Sequence, residues 1–255
     1  MIFYFSATGN SKYVADRVAE ATNDYTISIV DCLKKQACDF DVTEENQVGI
    51  ICPTYCWGLP NIVAEFLKKL VLNEKPKYLW LLTTYGSTTG QIARFADEIL
   101  ASKGLKLHGS FCVKMPDTWT PMFDLSDQEK VRQINEIAEL RMDFAIHCIK
   151  SGLKDDFVIH KVPYIASKFY YNVGFPVMRK TSHFHVEDSC VGCGLCAKNC
   201  PAEAIHMENG KPVWVKKQCE ICLACLNYCP KFSIQYGRRT KKHGQYIHVP
   251  YKKEG

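Results

Sequence analysis

Hydrophobic and polar residues follow two alternating patterns over the first 150 residues of the chain. Short, almost continuous apolar runs predict five buried strands, at Met1–Phe5, Thr26–Asp31, Gln47–Cys52, Tyr78–Thr83 and Leu107–Lys114. Between these runs, apolar residues recur at helical spacing and predict four helices, at Asn10–Thr22, Asn61–Leu72, Thr88–Lys103 and Ser126–Lys150. Strands that alternate with helices predict βαβ units and a parallel sheet with both faces covered.

The number of strands favours one topology within this α/β class. Five strands in about 150 residues fit the flavodoxin-like, doubly wound strand order, in which ligands bind at the carboxyl ends of the strands. We therefore expect the loops that leave the first, third and fourth strands to carry the function.

Charge and cysteine content divide the chain into two parts. Residues 1–152 hold 16 basic and 19 acidic residues, whereas residues 153–255 hold 16 and 8, so the net charges are −3 and +8. Eight of the 14 cysteines lie between Cys190 and Cys229. Two different compositions in one chain predict two domains.

The overall composition excludes several classes of protein. With 47% hydrophobic and 23% charged residues, the chain is neither disordered nor collagen-like. No basic, cleavable leader follows Met1, and polar or helix-breaking residues interrupt the longest uncharged segments, so we expect neither a secretory signal nor a membrane span. We expect a cytoplasmic location, where clustered cysteines indicate metal or redox chemistry rather than disulfides.

The eight clustered cysteines form one motif that occurs twice. Residues 190–201 have the spacing C-x2-C-x2-C-x3-C-P, which returns at residues 219–230. Bacterial ferredoxins with two iron–sulfur clusters have this spacing, and the fourth cysteine of each run binds the other cluster. The predicted ligands are Cys190, Cys193, Cys196 and Cys229 for one [4Fe-4S] cluster, and Cys219, Cys222, Cys225 and Cys200 for the other. Zinc is disfavoured, because a zinc site uses four ligands and not two interlaced sets.

The residues around this motif complete the predicted organisation. Phe184–Val186 and Val213–Val215 each precede a cysteine run and predict edge strands. The predicted fold is α/β, a flavodoxin-like doubly wound five-stranded parallel sheet, with a second, smaller α+β ferredoxin-like domain. The predicted units are a first domain (1–152), an aromatic-rich connector that packs between the domains (153–182), a two-cluster domain (183–237) and a basic C-terminal tail (238–255).

Each of the three loops of the first domain suits a flat, phosphorylated ligand. The loop Ser6–Lys12 offers hydroxyl groups, a glycine and an asparagine at the start of a helix, where anions bind, although the same residues could serve only to cap the helix. Pro53–Gly58 and Thr84–Gly86 place aromatic residues beside glycine. Aromatic residues could simply cover the end of the sheet, but the convergence of all three loops favours a ligand site.

These motifs resemble a known family. Ser6 to Ser11 match the flavodoxin phosphate loop T/S-x-T-G-x-T/S, and nearly the whole chain resembles the flavodoxin–ferredoxin fusion proteins of anaerobic bacteria and archaea, the EFR-type ferredoxin family. The resemblance implies FMN and two [4Fe-4S] clusters as cofactors. It implies that the FMN phosphate is held by Ser6, Thr8, Gly9, Asn10 and Ser11. It implies that the isoalloxazine is flanked by Pro53, Thr54, Tyr55, Cys56, Trp57, Gly58, Thr84, Tyr85 and Gly86, and that Met115–Trp119 approaches the flavin.

The resulting hypothesis is an oxidoreductase or electron-transfer protein that passes electrons between FMN and the two clusters, to or from an external redox protein or a small substrate. We assign no catalytic residue, although Asp117, Tyr85 and His108 are candidate proton donors. Whether the protein is an enzyme, which substrate it would use and its oligomeric state are left open.

A redox-sensing or docking protein is the alternative hypothesis. Its clusters would be structural, and its basic run Arg238–Lys242 would bind an acidic partner. Such a run is more typical of a solvated tail. Nucleic acid is disfavoured as a partner, because the sequence offers no arginine-rich groove or stacking platform.

Overall fold

The computed structural model of the chain describes residues 1–248, and its larger part is a five-stranded parallel sheet covered by helices. In chain order the elements of this part are β1 (Ile2–Tyr4), α1 (Asn10–Thr22), β2 (Thr26–Ser28), α2 (Ile29–Lys35), β3 (Asp39–Phe40), β4 (Val48–Pro53), α3 (Asn61–Lys69), β5 (Val71–Leu72), β6 (Leu79–Tyr85), α4 (Ile92–Ala101), β7 (Gly109–Lys114) and α5 (Gln128–Lys150). The sheet has the order β2-β1-β4-β6-β7, and its strands are parallel. This is the flavodoxin-like order, so the predicted fold class is confirmed.

The sheet separates two hydrophobic layers. Successive residues of a strand point to opposite faces, and accordingly Ile50 packs in the layer under α3 and α4 while Ile51 packs in the layer under α1 and α5. Trp80, fully buried, lies over Gly49, where an added Cβ would come within 2.3 Å of its ring. A glycine in β4 therefore makes room for the largest side chain of β6.

One predicted strand is shorter than its apolar run suggested. The run Thr26–Asp31 forms a strand only to Ser28, and α2 begins at Ile29. The Ser28 hydroxyl accepts a hydrogen bond from the Asp31 amide at 3.2 Å, and a serine in this position starts a helix. Ile29 is still buried in the core, because a helix can turn the same apolar side chain inward.

The smaller part of the molecule is built from short elements. These are α6 (Tyr164–Phe169), α7 (Phe175–Met178), β8 (Phe184–Val186), α8 (Leu195–Lys198), β9 (Ile205–Glu208), β10 (Lys211–Trp214), α9 (Ala224–Asn227), β11 (Ile234–Tyr236) and α10 (Thr240–His243). Antiparallel pairs form between β8 and β11 and between β9 and β10, so the two expected edge strands are present. Within residues 1–248, every helix is too short or too polar to cross a bilayer.

The connector joins the two parts through one face of its helix. A single π-helical turn at Tyr170–Gly174 links α6 to α7. The Tyr171 hydroxyl donates a hydrogen bond to the Leu59 carbonyl at 2.7 Å, and Phe175 is buried in the core of the smaller part. The opposite face leaves Ile165 and Phe169 exposed.

The basic tail expected at 238–255 is folded in the part that the structure describes. Thr240 is fully buried, and its hydroxyl accepts a hydrogen bond from the Tyr236 amide at 3.1 Å. Lys241 pairs with Glu187 at 2.6 Å, and Tyr246 and His248 are buried. The basic charge alone suggested a solvated tail. It gives no sign of the other residues of this segment, which are buried or form hydrogen bonds. Residues 249–255 of this tail lie outside the described residues.

Candidate cofactor sites

A cavity of about 350 Å³ opens at the carboxyl ends of β1, β4 and β6, where doubly wound sheets bind ligands. Twelve of the predicted flavin-site residues line it: Ser6, Thr8, Asn10, Ser11, Pro53, Thr54, Tyr55, Cys56, Trp57, Thr84, Tyr85 and Gly86. Its volume lies within the range of about 300–1,000 Å³ that is usual for small-molecule sites.

One end of the cavity suits a phosphate group. Helix α1 begins here, and its N-cap residue, Gly9, has no side chain that could cap the first N–H groups. The first N–H groups of a helix lack partners within the helix and attract anions. The buried hydroxyl groups of Ser11 and Thr84 lie 2.8 Å apart beside them, and the Asn10 amide donates to the Pro116 carbonyl at 3.1 Å. These groups fit the phosphate of FMN.

Two predicted glycines, Gly9 and Gly58, do not line the cavity. Gly9 has a φ of +100°, and an added Cβ would lie 3.0 Å from the Cβ of His248. At Gly58, an added Cβ would lie 2.6 Å from the ring of Tyr171. Both glycines therefore let another segment of the chain approach a cavity loop closely.

A strained turn carries the aromatic wall of the cavity. Tyr55 and Gly58 exchange backbone hydrogen bonds of 2.9 and 2.8 Å, and the two residues between them, Cys56 and Trp57, have φ values of +46° and +66°. Residues other than glycine with this left-handed backbone conformation each cost about 1–3 kcal/mol of stability, and they cluster at functional sites. The Trp57 ring lies 4.6 Å from the ring of Tyr170. The turn holds flat rings in a fixed place, which fits an isoalloxazine.

A half-buried carboxyl group, Asp117, also lines the cavity. Burial raises the pKa of Asp117 to about 6, although a hydrogen bond donated by the Trp119 amide acts in the opposite direction. The carboxyl group can therefore hold or release a proton near neutral pH. Burial raises the pKa of Tyr85 to about 12, so its hydroxyl stays neutral. His108 lies away from the cavity lining, and its Nδ1 accepts a hydrogen bond from the Leu79 amide at 2.9 Å.

The eight clustered cysteines surround two separate hollows. One is lined by Cys190, Cys193, Cys196 and Cys229, and the other by Cys200, Cys219, Cys222 and Cys225. The structure thus brings together the members of each predicted set, including the cysteine that crosses over from the other run. All fourteen cysteines of the chain, which lie within the described residues, are free thiols. Two sets of four thiols fit two [4Fe-4S] clusters.

The two hollows differ in their surroundings. The first reaches the surface, where Cys193 is exposed and the neighbouring Val191 is 61% exposed. In the second, Cys200, Cys219 and Cys225 are buried, and Cys222 lines both this hollow and the flavin cavity. We call the first the outer cluster site and the second the inner cluster site.

Ion pairing and hydrogen bonds hold the inner cluster site against the sheet domain. The Glu220 carboxylate accepts a hydrogen bond from the Ile62 amide at 3.3 Å, in the first turn of α3. It also pairs with Arg179 at 3.5 Å, and Arg179 donates to the Cys219 carbonyl at 2.6 Å. The loop between two cysteines is therefore fixed to both the connector and the sheet domain.

The cavity includes residues that the sequence did not indicate as flavin-site residues. They come from the segment after β7, from the connector and from the inner cluster loop: Met122, Phe123, Tyr170, Met178, Ile221 and Cys222. Only Cys222 carried a sequence signal, and that signal was for iron binding.

Comparison with known proteins agrees with this arrangement. Residues 1–143 match the flavodoxin domain model, and residues 183–230 match the 4Fe-4S dicluster domain model. An uncharacterized polyferredoxin-like protein of Methanocaldococcus jannaschii is 37% identical over 62 residues, an alignment that covers 19% of this chain and 37% of that protein. The chain therefore spans little more than a third of the length of this curated relative.

Solved structures with a similar region have low sequence identity. The flavodoxin of Fusobacterium nucleatum bound to flavin mononucleotide is 16% identical, with a TM-score of 0.39, over 60% of this chain and 97% of that one. The rubredoxin oxygen oxidoreductase of Desulfovibrio gigas is 19% identical, with a TM-score of 0.34, over 58% of this chain and 35% of that one. Because the flavodoxin model matches more than half of the chain, the protein belongs to the flavodoxin domain family; it also carries a 4Fe-4S dicluster domain, and its cofactors are FMN and two [4Fe-4S] clusters.

Proposed function

We propose that the protein transfers electrons between FMN and an external redox partner through its two clusters in series. The observation that carries this proposal is the position of Cys222, which lines both the flavin cavity and the inner cluster site. The exposed Cys193 supports an entry or exit point for electrons at the outer cluster site. When bound, FMN exchanges one or two electrons and each cluster exchanges one, so the chain joins two-electron to one-electron chemistry.

The cavity loops would divide the binding of FMN between them. Ser6, Thr8, Asn10 and Ser11 would hold the phosphate at the start of α1. The turn from Pro53 to Gly58 and the segment Thr84–Gly86 would flank the ring system. Gly9 and Gly58 would contribute backbone shape rather than contacts with FMN. The two cysteine sets would bind the clusters through their thiolates.

Asp117 would supply the proton that accompanies two-electron reduction. Its carboxyl group lines the flavin cavity, and its raised pKa keeps a protonated fraction near neutral pH. The proton would go to the reduced ring or to a small molecule bound beside it. A reductase needs such a proton donor, whereas a simple electron carrier needs only an exposed flavin edge.

The partner would dock where the outer cluster site reaches the surface. Val191 and Leu195 are exposed there, beside Lys231. We propose a redox protein as this partner, and the cytoplasm as the compartment, because free thiols and oxygen-sensitive clusters persist in reducing surroundings.

The proposed function is tested with protein purified without oxygen. Iron, acid-labile sulfide and flavin are measured first, and about eight iron atoms and one FMN per chain are expected. The protein is then mixed in turn with NADH, NADPH and a reduced ferredoxin while flavin and cluster absorbance are followed. We expect one of these donors to reduce both cofactors. Zinc in place of iron, or a flavin that stays oxidised beside reduced clusters at accessible potentials, would overturn the proposal.

A further inference from the structure

The last described residues of the chain fold back over the sheet domain. Residues 243–248, which we call the C-terminal strap, begin at the last residue of α10 and continue without regular secondary structure. Tyr246 and His248 are buried, whereas Ile247 between them is 37% exposed. The strap therefore turns alternate side chains toward the protein, as a strand does.

The strap contacts the predicted phosphate loop, residues 6–11, directly. The His248 amide donates a hydrogen bond to the Thr8 carbonyl at 2.8 Å. The buried Tyr246 hydroxyl donates to Asn10 Oδ1 at 2.9 Å and lies 2.9 Å from His248 Nδ1. Gly9 has no side chain where His248 packs. Tyr246 and His248 do not themselves line the cavity, so the strap contacts Thr8 and Asn10 from behind and leaves the space for the phosphate free.

The other end of the strap is tied to the cluster loop. The Gln245 side-chain amide donates to the carbonyl groups of Leu226 and Cys229, at 2.6 and 2.8 Å. The Tyr246 amide donates to the Asn227 side-chain oxygen at 2.9 Å. Leu226 and Asn227 belong to α9 and lie between Cys225 of the inner set and Cys229 of the outer set. The strap thus bridges the two cofactor regions by hydrogen bonds at both ends.

We propose that the C-terminal strap is part of the FMN site and that Tyr246 is a positioning residue for the phosphate loop. The Asn10 side chain is held from two sides, since its amide nitrogen donates to Pro116 while its oxygen accepts from Tyr246. A loop that is already ordered loses less entropy when it closes around a ligand. By thermodynamic linkage, bound FMN must also hold the strap in place. The proposal rests on the placement of the FMN phosphate at residues 6–11 given above.

The first test removes one hydroxyl group. Tyr246→Phe keeps the buried ring but deletes the hydroxyl and with it the contacts to Asn10 at 2.9 Å, to His248 at 2.9 Å and to Asn135 Oδ1 at 3.3 Å. On cluster-loaded protein from which FMN has been removed, we expect the dissociation constant for FMN to rise about fivefold, or about 1 kcal/mol at 1.4 kcal/mol per tenfold. Riboflavin, which lacks the phosphate, should bind as it does to the unchanged protein. Tyr78→Phe is the matched control, because it also removes a hydroxyl from a buried tyrosine, where it donates to the Leu153 carbonyl at 2.6 Å, but Tyr78 lies outside the cavity lining and the strap, so FMN binding should be unchanged.

The second test measures the reciprocal effect by hydrogen exchange. Addition of FMN should slow exchange in the peptide that covers residues 243–248, including the His248 amide, in protein with its clusters intact. Equal FMN binding by Tyr246→Phe and the unchanged protein would overturn the proposal. So would equal losses of FMN and riboflavin binding, or strap exchange that does not respond to FMN.

A variant inside the loop distinguishes failure of the strap from failure of the site. Ser11→Ala removes a hydroxyl from the proposed phosphate site itself. If Ser11→Ala weakens FMN binding relative to riboflavin and Tyr246→Phe does not, only the strap proposal fails. If neither variant separates the two flavins, the phosphate is bound elsewhere, and both the placement at residues 6–11 and the strap proposal fail.

Discussion

The two cysteine repeats have the same spacing but hold different residues between their cysteines. In the first repeat, Gly192 and Gly194 have φ values of +69° and +75°. At the same positions of the second repeat, 29 residues later, stand Ile221 and Leu223, with φ values of +46° and +55°. Glycine adopts this conformation without steric cost, whereas a β-branched side chain such as that of isoleucine rarely does. The second repeat therefore keeps the same backbone at the cost of strain.

Burial of the two side chains offsets this strain. Ile221 lines the flavin cavity and Leu223 is buried in the core of the smaller part. Full burial of such a side chain contributes roughly 1.5–3 kcal/mol, which is comparable with the cost of about 1–3 kcal/mol for a left-handed residue. Cysteine spacing therefore fixes which thiols meet, while the residues between the cysteines decide whether a site faces solvent or the flavin.

The largest effect is expected from removal of one cysteine at each site. Cys222→Ala and Cys193→Ala should each lower the iron content from about eight to about four atoms per chain. Both should slow reduction of the flavin by a reduced ferredoxin more than about 100-fold, because each breaks a series path. Of these two variants, only Cys222→Ala should alter the visible spectrum of the flavin, because Cys222 lines its cavity and Cys193 does not.

Stopped-flow absorbance and iron analysis measure these effects. A Cys193→Ala variant that accepts electrons at the normal rate would show that they do not enter through the outer site. A flavin spectrum that is changed by Cys193→Ala and not by Cys222→Ala would show that the outer site, and not the inner one, lies next to the flavin.

A smaller effect is expected when the second repeat is made to resemble the first. Ile221→Gly relieves the left-handed strain but removes a buried side chain, so we expect a net loss of about 1–2 kcal/mol of stability. Water would reach the inner cluster site through the flavin cavity, and exposure should raise the potential of that cluster, on the order of 100 mV. The outer cluster should keep its potential.

Redox titration followed by electron paramagnetic resonance resolves the two clusters. Val191→Ala is the control, since it shortens a side chain at the outer site that is already exposed and should change neither potential. If Ile221→Gly shifted the reduction potentials of both clusters, the two sites would share one environment, and the difference between them would be contradicted.

The sequence predicts the parts of this design that leave a periodic signal. Continuous apolar runs predicted the five sheet strands, and cysteine spacing predicted which four thiols meet at each hollow. The end of β2 at Ser28 was missed, because one hydroxyl cap overrides an apolar run. The repeats could not tell which site faces the flavin, because their spacing is the same. The strap joins Tyr246 to Asn10 across 236 residues of chain, and such a contact leaves no local pattern.

A half-buried charge in the flavin cavity should have the next largest effect. Burial raises the pKa of Asp117 to about 6, so the carboxyl group is mostly neutral below pH 6 and negatively charged above it. A negative charge opposes the addition of electrons to the flavin. Asp117→Asn should therefore raise the flavin potential at pH 8, on the order of 50 mV for one partly exposed charge about 7 Å away at an effective dielectric constant of about 40. At pH 5.5 the difference should be much smaller.

Spectroelectrochemical titration at the two pH values tests this prediction. Asp124→Asn is a suitable control, because Asp124 is exposed and bonded to Ser126 outside the cavity lining. An equal shift at pH 5.5 and pH 8 would mean that Asp117 does not titrate in this range.

The smallest effect is expected from a charge of opposite sign at the outer site. The exposed Lys211 ammonium donates to the Cys190 carbonyl at 3.3 Å, and its positive charge favours the reduced, more negative cluster. Lys211→Gln should lower the outer potential by only about 10–20 mV, because water and salt screen an exposed charge over about 8 Å at physiological ionic strength. High salt should abolish this shift but leave the shift from Asp117→Asn largely intact, because a partly buried charge is screened much less. Equal salt sensitivity of the two shifts would show that the charges of Lys211 and Asp117 are equally exposed to solvent. That result would contradict the difference in exposure between the outer site and the flavin cavity.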